Sequence, residues 1–256
     1  MNTIKCLDHG FVTLLNTASA VPRNIVEDNL NGVSYTQFSA RDIDPSIAAR
    51  ISFNNLDEVR IFEQDIKLLE YLMVNYHNTP LEMTELWFHM KMPIFVARQA
   101  VRHRTSRIFE GITEYDDPTI NEVSGRYVQL PAQWYIPEVV GGKSTTGAKQ
   151  GQEDNLKLNF QDMFKQDLEA LCAESYAKYL YYLEGRVAPE HARMFLHVNH
   201  YTHWIWKQDL HNVLGFLKLR LHEHAQIEAR VYAQAILKLL IQQLPATMEL
   251  FDKYRK

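Results

Sequence analysis

The chain has little cysteine. Cys6 and Cys172 are the only two in 256 residues, and neither stands in a CxxC. That argues against a disulfide framework and against cysteine-built structural zinc, and two isolated thiols suit a reducing cytoplasm. Long apolar runs are also missing. Nothing approaches the ~18 residues a membrane span needs, and the opening "MNTIKCLDHGFVTLL" is too short and interrupted for a signal peptide. Positive charge is not in excess. A net charge of −4 argues against a nucleic-acid coat, so any basic patch is local and suited to a small anion. The common nucleotide and nucleophile motifs are absent too: there is no GxGxxG, no P-loop and no GxSxG elbow.

The composition that remains, 46% hydrophobic and 23% charged, is that of an ordinary globular chain able to bury a sizeable core. "GFVTLLNTA" reads as an early strand, and residues 14–48 read as a loop with short turns. From Leu56 the spacing of Val59, Phe62, Ile66, Leu69 and Leu72 predicts a helix ending near Asn75. "ELWFHMKM" alternates as a half-buried strand with Leu86, Phe88, Met90 and Met92 on one face. Pro93 then suits the first turn of a helix through "IFVARQAVRH". After a Gly/Ser/Thr/Lys loop comes a long helix, Asn159 to Leu183, with Gly185 as its stop. Pro189 and Glu190 open another helix carrying Arg193, and helical patterns continue through "LHNVLGFLKLRL" and "HAQIEARVYAQAILKLLIQQL". Strands in the first half and helices in the second favour an α+β class with no internal domain boundary.

Cations gather in one region. Arg98, Arg102 and Arg104, with His103 among them, lie on and just after a helix whose neighbouring residues Phe95, Val96, Ala97 and Val101 are apolar. Arginines leaving a packed helix end need anionic partners, and phosphate suits their planar fork. "NEVSGRY" offers complementary chemistry: Asn121 and Ser124 can hydrogen-bond a base or sugar, Gly125 lets a backbone come close, and Arg126 is a further clamp. Alone, that heptapeptide is equally a simple turn before a strand. Arg193 and Arg220 stand singly in apolar helical segments, where each needs a carboxylate (Glu190 or Glu223) or an anionic ligand. Seven of the eleven histidines fall within residues 191–224, but their spacing fits no metal-binding pattern.

Taken together, "RHRTS" and "INEVSGRY" resemble the RHRxxSxNExSxRY motif of the flavin-dependent thymidylate synthases, interrupted by an extra segment, Arg107–Pro118. "GFVTLL", "AARISF", "HNTPLE", "PIFVARQAVRHR", "WYIPE", "PEHARMFL" and "FLKLRLHEHAQIE" resemble further family blocks in family order, so nearly the whole chain is covered. The resemblance implies a cytoplasmic enzyme that methylates dUMP reductively to dTMP, with FAD as cofactor and NADPH and methylenetetrahydrofolate as co-substrates. It implies one domain over residues 1–256, a mostly antiparallel sheet packed with long helices, and active sites between the chains of a homotetramer. Neither nucleic acid, membrane nor metal enters that reading.

Residue by residue, the resemblance assigns Ser52, His77, Thr79, Glu82, Arg102, His103, Arg104, Asn121, Glu122, Asp209 and His211 to FAD. It assigns Gln99, Arg102, Glu122, Ser124, Gly125, Arg126, Arg193 and Arg220 to dUMP. Arg220 would be catalytic, stabilising negative charge as the uracil N3 ionises. The chain departs from the family pattern at Asp209 and His211, where Asn and Arg are common, at Gly215, usually Asn or His, and at His197, where proline is common. Two other readings stay open: a nucleotide-binding homologue impaired by the interrupted motif, and a phosphohydrolase using the histidine group. "RIFEGITEYDDP", with a central glycine and a closing Asp-Asp-Pro, reads as a loop excursion at the pocket rim.

Overall fold

A computed structural model describes residues 3–19, 42–53, 60–103, 120–143, 152–153 and 156–255. In chain order the strands are β1 (Thr3–Cys6), β2 (Gly10–Ser19), β3 (Thr84–Pro93), β4 (Ile120–Glu122), β5 (Gly142–Lys143), β6 (Gln152–Glu153) and β7 (Tyr201–Asp209). The helices are α1 (Asp44–Ala49), α2 (Phe62–Val74), α3 (Ile94–Ala100), α4 (Leu158–Glu184), α5 (Pro189–Ala192), α6 (Leu210–Arg220), α7 (Ile227–Gln243) and α8 (Pro245–Tyr254). Five strands form one sheet in the order β1-β2-β3-β7-β4, and every neighbouring pair is antiparallel. β5 and β6 make a separate two-stranded ribbon. The expected α+β class is what the chain adopts.

The alternation in β3 sets the inner face. Leu86, Phe88, Met90 and Met92 are fully buried, while Trp87, His89 and Lys91 are half-buried on the other side. Trp204 and Trp206 of β7 continue that inner face, and α6 and α7 cover it with Val213, Leu214, Phe216, Leu217, Ile236 and Leu240. Pro93 closes β3 and is the N-cap of α3 rather than its first residue. The amides of Ile94 and Phe95 then donate to the carbonyls of His200 (3.0 Å) and Val198 (2.9 Å), which tie α3 to the approach of β7.

Caps fix several helix ends. Asp209 caps α6, its Oδ1 accepting from the Asn212 amide at 2.8 Å. Asp42 reaches across the sequence to cap α8, accepting from the Ala246 amide (3.1 Å), the Thr247 amide (2.9 Å) and the Thr247 hydroxyl (2.7 Å). The long helix stops at Gly185 as its sequence indicates, but the left-handed residue is Arg186, with φ 62°. Its amide donates to Leu183 O (3.0 Å) and that of Val187 to Tyr182 O (2.9 Å), a Schellman closure.

The sequence reading differs from the fold in three places. β2 runs on to Ser19, and α1 lies within residues expected to be loop. The Gly/Ser/Thr/Lys segment contributes the short β5–β6 pair. β7 was not expected as a strand at all. The segment Arg107–Pro118, and Arg104 before it, lie outside the described residues.

Candidate active site

α3 and α6 end side by side. Gln99 stands in the last turn of α3, His103 just beyond it, and Arg220 is the final residue of α6. The Arg220 Nη1 donates to Gln99 Oε1 at 3.4 Å, and its Nη2 lies 3.4 Å from His103 Nε2. Because a guanidinium only donates, His103 Nε2 must be the acceptor, so the ring proton sits on Nδ1. Burial and the neighbouring Arg220 charge both hold the His103 pKa below its ordinary value, which keeps the ring neutral. The edge of His103 meets Phe216 with ring centroids 5.1 Å apart, and Phe216 in turn packs on Trp206 at 5.5 Å.

Arg220 is half-buried, and burial pulls its pKa down from the ordinary arginine value, though a guanidinium stays charged at any working pH. Among the described residues no ion pair includes Arg220 or Arg193, so neither Glu223 nor Glu190 neutralises them. The Arg220 Nε is buried without a partner. Beside these groups a small cavity is lined by Met90, Met92, Val96, Ala100, Phe216 and Tyr232, with Gln99 and Arg220 as its polar members. That cavity is only about the size of a water molecule, so it is the uncompensated cation itself, not the void, that suits a ligand carrying or developing negative charge.

A second group forms where β4 leaves the sheet. The Val123 amide donates to His203 O at 2.9 Å, and the Thr202 hydroxyl donates to Glu122 Oε1. Ser124 begins a tight turn, its carbonyl accepting from the Tyr127 amide at 3.0 Å. The Ser124 hydroxyl accepts from the backbone N (3.3 Å) and Nε (3.4 Å) of Arg126. Gly125 is buried, and a Cβ there would meet Leu130 Cδ1 at 3.1 Å and Arg193 Cδ at 3.5 Å. The absent side chain therefore makes room chiefly for Leu130, while the stem of Arg193 lies at ordinary contact distance beside the turn. Arg193 itself is exposed, unlike the partly buried arginine expected from its apolar neighbours. Arg126 is exposed as well, so this turn presents two guanidinium groups, and Arg102, just past α3, is also exposed.

A third group surrounds the start of α6. The turn Thr79–Met83 packs against α1, α6 and β7, bringing Thr79 and Glu82 to the end of the sheet where Asp209 and His211 stand. His77 is exposed and stacks on Tyr71 with centroids 5.6 Å apart, and Ser52 is exposed after α1. Among the described residues nothing hydrogen-bonds the buried His211 Nδ1. Gly215, exposed on α6, has open space where a side chain would stand. Asn121, at the middle of β4, is exposed opposite Ile205.

The profile of a family described as "Thymidylate synthase complementing protein" matches residues 33–246. The flavin-dependent thymidylate synthase of Thermus thermophilus is 37% identical over 258 residues, covering 98% of this chain and 79% of that protein. That of Ehrlichia ruminantium is 38% identical over 255 residues, covering 92% of this chain and 80% of that protein. The chain belongs to the flavin-dependent thymidylate synthase family. A crystal structure of the UMP/dUMP methylase PolB from Streptomyces cacaoi, bound with 5-Br dUMP, superposes with a TM-score of 0.75 over 98% of each chain at 22% identity, which shows a shared fold.

Within this thymidylate synthase fold the described residues converge only in part. Gln99, His103 and Arg220 meet one another, and Ser124, Gly125, Arg126 and Arg193 meet one another. The residues matched to flavin at the start of α6 stand a helix length away from His103, about 16 Å for eleven residues. Gln226, which touches Gln99, was missed by sequence reading: an isolated polar residue before a helix gives no signal of its own.

Proposed function

We propose that this chain converts dUMP to dTMP, drawing the one-carbon unit from methylenetetrahydrofolate and reducing equivalents from NADPH through FAD. The observation that carries the reading is Arg220: a half-buried guanidinium held by two neutral acceptors, its charge uncompensated among the described residues. Ionisation of the uracil N3 places negative charge on the ring, and a fixed cation there favours it without reorganisation. Gln99, bonded to Arg220, would orient the base beside it. Arg102, Arg126 and Arg193 take the phosphate as exposed forks, with the Ser124 hydroxyl and the close-approach turn at Gly125 beside them. Glu122, held by the Thr202 hydroxyl, accepts from a sugar or base donor.

His77, Ser52, Thr79, Glu82, Asp209 and His211 would hold FAD on one side, with Asn121, Glu122 and the Arg102-His103-Arg104 triplet on the other. The buried, unpartnered His211 Nδ1 and the exposed, already stacked His77 ring fit a polar aromatic cofactor. When bound, the flavin supplies hydride chemistry, which needs no thiolate from the protein. Cys6 and Cys172 are both buried, and burial pushes both thiols up, Cys6 to about 12, so neither is poised as a nucleophile.

Active sites shared between copies of the chain in a homotetramer account for two further features. Ser52, His77, Thr79 and Glu82 of the flavin set are exposed, while Asp209 is buried as a helix cap. The long helix α4 buries only Gln161, Cys172, Ser175 and Tyr179, while Phe160, Met163, Phe164, Leu171, Tyr181 and Tyr182 lie exposed along an adjoining stripe. Such a stripe suits a second copy. The test is direct. Purified protein should be yellow, with a flavin spectrum, and should form dTMP from dUMP only when NADPH and methylenetetrahydrofolate are both supplied. Colourless protein that takes up no FAD and makes no dTMP overturns the reading.

A further inference from the structure

The two acceptors on Arg220 differ in how firmly they are set. His103 is fixed by its ring contact with Phe216 and by its tautomer. Gln99 carries a primary amide, which presents either its oxygen or its NH2 to a neighbour by a half-turn of one bond. Only one of those states accepts from Arg220; the other sets donor against donor.

Arg220, which only donates, selects the accepting state; what holds the amide there is on its opposite side. Gln99 Nε2 donates to Gln226 Oε1. Gln226 is the N-cap residue of α7, with φ −53° and ψ 132°, and its carbonyl accepts the Arg230 amide at 2.9 Å. The loop before it is tied down by the Arg230 side chain, whose Nη2 donates to Ala225 O at 2.8 Å and also to Glu223 O. The Gln226 side chain, itself exposed, thus reaches Gln99 from an anchored backbone.

We propose that Gln226 is a positioning residue for the reaction: it fixes the amide of Gln99, and through Gln99 the plane of the Arg220 guanidinium against the substrate base. This rests on the assignment of Arg220 to catalysis. A guanidinium held at both Nη atoms has one plane; held only at His103, it rotates about that contact and its charge no longer faces one point. Positional loss of this kind lowers the rate of the chemical step more than substrate binding.

The test compares Gln226→Met, which keeps length without an acceptor, Gln226→Glu, which keeps the acceptor, and Gln226→Lys, which replaces it by a donor. The expected order of kcat is wild type, then Glu, then Met, then Lys. The Met variant should fall about tenfold, at unchanged FAD content and with dUMP KM moved far less than kcat. A second readout needs no substrate: the titration of His103 by NMR in histidine-labelled protein, assigned with His103→Asn. Loosening Arg220 in Gln226→Met should move that titration upward, in the direction produced by Arg220→Ala. Unchanged kcat and unchanged His103 titration in the Met variant overturn the proposal, and so does equal loss in all three variants, which would mean packing alone. Wild-type protein that makes no dTMP would instead refute the assigned reaction, and the His103 titration then decides the role of Gln226 by itself.

Discussion

Tyr232 and Lys91 meet across the core at the edge of β2: the Tyr232 hydroxyl donates to the Lys91 carbonyl at 2.8 Å. Gly10 lies directly beneath this contact. A Cβ at Gly10 would stand 2.0 Å from the Tyr232 oxygen and 2.8 Å from the Lys91 carbonyl oxygen. Gly10→Ala should therefore destabilise the protein by about 1–3 kcal/mol, the usual cost of overpacking. Tyr232→Phe, which removes the clashing oxygen, should recover part of that loss in the double variant. Denaturant unfolding of the four proteins checks it; simple additivity would clear the Tyr232 oxygen and leave the clash to the carbonyls of Cys6 (2.7 Å) and Lys91.

Arg220→Ala is expected to abolish methylation while leaving most FAD bound. Losing one preorganised charge of this kind costs about 3–4 kcal/mol, or two to three orders of magnitude in kcat. Steady-state dTMP formation and the flavin absorbance of the purified variant measure the two effects separately.

His200 sets an acid limit on stability. It is buried, its Nε2 has no partner, and burial together with the Lys91 charge lowers its pKa to about 4. The unfolded chain takes up the proton near the ordinary value of about 6.5, so it binds more protons than the native state between those limits. Stability is therefore complete above about pH 6.5 and declines by roughly 3 kcal/mol as the pH falls through about 4. Thermal melts across this range should show the slope, and His200→Gln should flatten it.

The cysteines are expected to be dispensable. The Cys6 thiol hydrogen-bonds the Ile4 carbonyl and the Cys172 thiol Asn199, and neither cysteine lies among the residues assigned to ligands. A Cys6→Ala, Cys172→Ala protein should keep FAD and turnover within a few-fold. A folded, yellow variant with no turnover would require a thiol in the reaction.

Deleting Arg107–Pro118, joining Ser106 to Thr119, should leave FAD content and dTMP formation close to wild type. Loop closure depends only weakly on length, about 0.6 kcal/mol per doubling, so the flanks gain little strain from either version. Loss of flavin from a still-folded assembly would place the segment inside the site.

How much of this could be read beforehand varied with the chemistry of each segment. β3 announced itself because its inner face is wholly Leu, Phe and Met and its outer face Trp, His and Lys. β7 did not, because Thr202 and Gln208 point inward while Ile205 points outward at 40% exposure, which blurs the period of two. Hydrogen bonding and sheet position decide that strand, and neither is visible in residue hydropathy. Arg220 was legible as a cation needing a partner, and through family likeness as a site residue. Its real partners, Gln99 and His103, lie more than a hundred positions away and are neutral, so charge pairing could not point to them.

The placement of β7 governs how the chain reaches this state. β3 pairs with β7 from Glu85↔Asp209 to Pro93↔Tyr201, so its inner edge waits for more than a hundred residues of later chain. Until β7 arrives, β1, β2 and β3 form a three-stranded patch with an open, strongly apolar edge at β3, and β4 has no neighbour to pair with. Pairings of such long sequence separation fold slowly, and an unpaired edge is a template for another copy. Synthesis at reduced temperature, which slows association of these half-made sheets, should raise the soluble yield, and stalled or truncated chains ending before Tyr201 should aggregate.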